Sequence, residues 1–247
     1  MKRINLFAYL LSTCLASCGQ NEKQFDIKEE ITSDSSLKKT KTDFNTQNLN
    51  LFEDETYFVS KTCSGEWGGS IKFKNKITGT EYSCSATCPV AVNKIEGKYF
   101  VTNSLAHMSG FTEILQIDNP DSMEIFKLPE QRESNGTKIA RLKVETESHS
   151  TKGTKILADS TGILTIASFP YKGQIFHIIT DFQKTFLSKI DNRKFVPIDT
   201  ISNVSIWDYN QEVIKTSENH FMVFFNNDKT SGYLDIFENK IHLTRYK

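Results

Sequence analysis

The side chains best suited to chemistry are three cysteines and a short polar run that follows them. Cys63, Cys84 and Cys88 are succeeded by Asn103, Ser104, His107 and Ser109. Outside a reducing cytosol thiols pair as disulfides, and an odd number leaves one over. Cys84 and Cys88 can bond only where the chain turns between them, because one straight strand would hold their Cα atoms about 13 Å apart. Cys63 with either Cys84 or Cys88 would instead staple two neighbouring strands, so all three are disulfide candidates. The rival chemistry is a Cys₃His zinc site completed by His107. Neither Cys-x₂-Cys nor His-x₃-His spacing occurs, so no metal is expected.

Nucleophilic catalysis would need a serine beside a base and an orienting acid. Ser104 and His107 are close in sequence, but no Gly-x-Ser-x-Gly elbow occurs, and His149, His177, His220 and His242 are scattered. Glycoside hydrolysis would need two positioned carboxylates, with Asp118, Asp181, Asp208 and Asp235 as candidates near strand ends. Gly65-Glu66-Trp67-Gly68-Gly69 lacks the spacing and the lysine of a phosphate-binding loop, and no cofactor is expected. These absences favour binding over catalysis. Trp67 could serve as an aromatic platform for a glycan or an envelope protein. Asn103, Ser104 and His107 lie where a strand gives way to a glycine-containing loop, completing a candidate binding loop.

The elements that must position these residues read as strands. Ser70-Ile71-Lys72-Phe73-Lys74 alternates with period two, and short β-branched and aromatic bursts recur between Gly, Asn, Asp and Pro. Helical periodicity is weak throughout. A loose repeat emerges: bursts at 163–167, 174–179, 185–190 and 194–198 are echoed at 204–207, 220–225, 232–237 and 240–243. An earlier set at 90–92, 98–101, 112–117 and 123–126 follows the same order. Four short strands per roughly 40 residues is the pattern of a β-propeller blade. An all-β, propeller-like fold of about four or five blades is expected, with an antiparallel β-sandwich as the alternative.

The chain opens with Lys2-Arg3 and a mostly apolar stretch from Ile4 to Ala16, too short for the roughly 20 helical residues that cross a bilayer. Leu15-Ala16-Ser17-Cys18 resembles the lipobox of bacterial lipoproteins. The resemblance implies a signal peptide over 1–17, cleavage before Cys18 and acylation of that residue, with the membrane as partner through the anchor. Gly19 is not the aspartate that retains such proteins at an inner membrane, which points to the outer membrane of a cell envelope. Removing residues 1–17 leaves 28 basic against 30 acidic side chains, without the clustered basic surface that nucleic acid requires. The polar segment 18–50 reads as a flexible tether with a reach of about 30 Å. Residues 51–247 then form one all-β domain. The expected function is a membrane-anchored, exported lipoprotein whose domain acts as a binding or scaffolding module. A carbohydrate-active hydrolase is the alternative.

Overall fold

The computed structural model describes residues 23–44 and 50–247; Cys18 and the rest of the signal region lie outside the described residues. Its strands fall into five separate sheets, mostly antiparallel, and no closed propeller is detected. No α-helix occurs among the described residues; the few helical turns are 3-10.

Strand β1 (Asp26–Thr32) precedes β2 (Phe52–Glu53), β3 (Tyr57–Lys61), β4 (Ser70–Asn75) and β5 (Glu81–Ser85). The last four, with β9 (Glu124–Ile125), form sheet I in the order β2-β3-β4-β5-β9. Sheet II runs β6 (Pro89–Ile95), β7 (Lys98–Leu105), β8 (Phe111–Ile117) and β12 (Thr154–Thr161), while β10 (Glu133–Ser134) and β11 (Thr137–Lys138) make a small ribbon. Sheet III is the meander β13 (Leu164–Tyr171), β14 (Gln174–Thr180), β15 (Thr185–Asp191) and β16 (Lys194–Ser202). Sheet IV runs β17 (Val213–Ser217), β18 (His220–Asn226), β19 (Ser231–Phe237) and β20 (Lys240–Tyr246), and β1 joins its edge parallel to β20.

Two-residue hairpins set much of the register. Glu96-Gly97, Lys172-Gly173 and Asn192-Arg193 all hold positive φ at both central positions, the conformation whose twist matches paired strands. Side chains then alternate between faces. One large core lies between sheets III and IV, built on Phe169, Phe176, Leu187, Phe221, Val223 and Leu234. A second lies between sheets I and II, built on Val59, Ile71, Phe73, Val101 and Leu115. Each such side chain contributes on the order of 1.5–3 kcal/mol on burial. Sheets II and III meet through polar groups instead. Thr112 and Thr165 hydroxyls are 2.7 Å apart, Thr102 donates to Ser168 Oγ at 2.8 Å, and Asn93 Nδ2 donates to Ser168 O at 2.9 Å.

The unit expected over 163–198 matches sheet III. The later unit needs correction, because 204–207 is not a strand and Val213–Ser217 opens sheet IV instead. In the earlier unit the fourth strand of sheet II is β12. Glu124–Ile125 crosses to sheet I and pairs with β5.

The tether expected over 18–50 also needs correction. Asp26–Thr32 pairs along its whole length with Lys240–Tyr246, and Phe25 just before it is buried. The Phe25 ring centroid lies 4.8 Å from Phe176, 5.1 Å from Tyr171 and 6.0 Å from Phe169. Beyond Thr32 the chain crosses the outer face of sheet IV. There Lys39 Nζ lies 3.2 Å from Asp235 Oδ2, Tyr246 Oη accepts from Lys39 N–H at 2.9 Å, and Phe44 packs on Phe224. Composition hid this segment because an edge strand needs few apolar residues once its backbone has a partner.

Candidate functional site

The bridge joins Cys63 to Cys88, linking the loop after β3 to the start of β6, while Cys84 is a buried free thiol on β5. Burial pushes the Cys84 thiol up to about 12, which makes it inert as a nucleophile. The bridged loop is tightly packed: a Cβ at Gly69 would sit 2.6 Å from Thr62 O and 2.7 Å from Ala86 O, so only glycine fits. Buried Glu147 holds the same loop by accepting hydrogen bonds from the hydroxyls of Thr62, Ser64 (2.7 Å) and Ser70 (2.8 Å). Burial opposes its charge, but those three hydroxyls and nearby Lys72 hold the carboxyl below its ordinary range.

Beside the disulfide, a cavity of about 680 Å³ opens where β2, β6 and β17 approach one another. Its wall is made of amides and hydroxyls, from Asn93, Ser104, Ser168, Asn210 and Gln211, with Tyr209, Phe52 and Phe221 as aromatic surface. Gln211 Nε2 is buried there and has no hydrogen-bond partner among the described residues. Lys61 and Lys215 contribute two cations. Burial lowers the pKa of Lys61 against the pull of Glu212, and its Nζ donates to Pro89 O at 2.6 Å. The two carboxylates of the wall are already engaged, Glu53 with Lys76 at 2.7 Å and Glu212 with Lys41 at 3.3 Å.

Ser168 and His177 Nδ1 lie 2.8 Å apart, the spacing of a nucleophile and its base. Burial lowers His177 to about 3, and its ring stacks edge-on against Phe195, so it is a poor proton acceptor. This pair belongs to the polar seam between sheets II and III.

The sequence-derived binding loop divides among three places. Ser104 lines the cavity. Asn103, its neighbour on β7, is fully buried, and its Nδ2 donates to Glu113 Oε2 at 3.0 Å. Trp67 and His107 sit on two adjoining loops joined by Glu66, whose Oε2 lies 3.5 Å from His107 Nδ1. Trp67 is 71% exposed and Met108 90% exposed, so the paired loops form an apolar tip.

Of the aspartates considered for hydrolysis, Asp181 and Asp208 cap local turns, Asp235 bonds His220 Nε2 at 2.7 Å, and Asp118 lies near Lys98. Sequence reasoning missed a different pair. Glu113 on β8 stands directly opposite Asp159 on β12, placing two carboxyl groups on one face of sheet II. Glu113 lines a second cleft of about 790 Å³ with Lys155 and Arg193, and burial raises its pKa despite the Asn103 bond. Arg193 Nη2 approaches Asp159 at 3.8 Å. Only cross-strand register reveals this pair, because the two residues are 46 positions apart. No group of three metal-binding side chains occurs among the described residues. No family model matches the chain, and neither a curated protein nor a solved structure is detectably similar to it.

Proposed function

We propose that this chain is an exported, lipid-anchored binding module of a bacterial cell envelope, and that its ligand site is the cavity beside the Cys63–Cys88 bridge. The observation that carries the binding role is the cavity wall, with amides and hydroxyls next to exposed Tyr209 and a buried, unpartnered Gln211 amide. Such a wall suits a neutral, hydroxyl-rich ligand, because aromatic faces pack on sugar rings while amides take up their hydroxyls. Glycans are therefore the proposed ligand class. The four larger sheets bring their edge strands or neighbouring loops to this wall, which supports a propeller-like arrangement of four blades.

Titration calorimetry with maltotriose, chitotriose and a peptidoglycan disaccharide tests the binding role. Binding by at least one sugar is expected, weakened about threefold to tenfold by Gln211→Ala, the cost of one lost hydrogen bond. No binding, or affinity indifferent to Gln211→Ala and Tyr209→Ala, overturns the site. For the anchor, Cys18→Ala is expected to leave the membrane fraction; its retention there would refute lipidation.

One observation favours a hydrolase as second reading: the facing Glu113 and Asp159, one carboxyl raised by burial and the other close to an arginine. Divergent environments of this kind separate a general acid from its ionised partner. Turnover of p-nitrophenyl glycosides that disappears in Glu113→Gln would establish it. A panel without turnover would remove it.

A further inference from the structure

We infer that the domain rests directly on the bilayer with one defined end down, and that the Trp67–Met108 tip faces away from it. This rests on the proposed acylation of Cys18 and adds the geometry. Phe25, locked between Phe169, Tyr171 and Phe176, is the first of the described residues held by the core, and Cys18 is only seven positions earlier. Seven residues span at most about 25 Å when fully extended, and about 15 Å on average as a coil. A body of this size is about 45 Å across. A leash shorter than the body cannot let it turn over.

The registers say which end is down. Asp26 lies beside Lys240, and the turns joining β17 to β18 and β19 to β20 are at that same end of sheet IV. In sheet III the corresponding end is the Lys172-Gly173 turn beside Tyr171, which touches Phe25. These turns expose Lys172, Glu218, Glu238 and Lys240 beside a half-exposed Phe237, a mixed surface that suits the headgroup region. The opposite end carries the Asn227–Thr230 and Asp181–Lys184 turns, where Gly110 packs beside Phe182. His107, Met108 and, through Glu66, Trp67 belong to this distal end.

The test uses the acylated full chain in phosphatidylethanolamine and phosphatidylglycerol vesicles, with a fluorophore on one introduced cysteine. Labelling is selective because Cys63 and Cys88 are bridged and Cys84 is buried. Lys172→Cys and Lys240→Cys are expected to be quenched several-fold more by headgroup spin-labelled lipid than Met108→Cys and Lys229→Cys. Inserting 30 Gly/Ser residues between Asn21 and Glu22 is expected to erase the difference. Equal quenching at both ends in vesicle-bound protein, or stronger quenching at residue 108, overturns the orientation alone. Vesicle binding that is unchanged by Cys18→Ala overturns the anchor itself.

Discussion

Glu147 shows how much one buried carboxylate can organise. With the Thr62, Ser64 and Ser70 hydroxyls all donating to it, Glu147→Gln places a donor amide against donors and is expected to cost about 1–3 kcal/mol in urea unfolding. Two other residues divide the acid limb of the stability curve. Burial lowers His177 to about 3, so below its ordinary value near 6.5 the unfolded chain takes up a proton that the fold refuses. Stability must then fall from about pH 6.5 downward, and His177→Gln is expected to flatten that slope. Burial opposes ionisation of Asp54, but Lys94, Tyr99 and two backbone amides outweigh it and hold the carboxyl at about 2. Its contribution, on the order of 2 kcal/mol, is present above about pH 4 and lost as pH falls toward 2. Asp54→Asn is expected to remove that second slope, as read by pH-dependent denaturation. At this scale the sequence was half legible. The three cysteines could be read as disulfide candidates, but which two bond depends on how the loop around Gly69 packs against Thr62 and Ala86, which no spacing rule encodes.

Strands with regular alternation could be read directly, and the 163–198 meander is the clearest case. Two elements were hidden for opposite reasons. β12 is reached only after a long excursion through residues 118–153, so proximity in sequence pointed to 123–126 as the fourth strand of sheet II. β1 has the sequence Asp-Ile-Lys-Glu-Glu-Ile-Thr and exposes most of its side chains, so it carries almost no hydrophobic signal. Its attachment relies on backbone pairing and on Phe25. Phe25→Ala is therefore expected to cost about 3–5 kcal/mol and to loosen the whole 26–44 segment, measured as lost amide protection there in hydrogen exchange. A segment that is a true tether would give no protection in either protein.

For the whole molecule, the all-β class could be inferred from strand signals. The candidate site could not, because its walls come from β2, β6, β17 and the loop before β17, which only the tertiary arrangement brings together. The parallel pairing of β1 with β20 joins positions more than 200 residues apart, and Lys247 N–H donates to Thr32 O at 3.0 Å. Deleting residues 240–247 is expected to abolish the cooperative melting transition although β2 to β19 are untouched. Retention of a sharp transition would show that sheet IV stands without its last strand. Because β1 finds its strand partner only in β20, more than 200 residues later, this edge of sheet IV cannot close on a half-made chain.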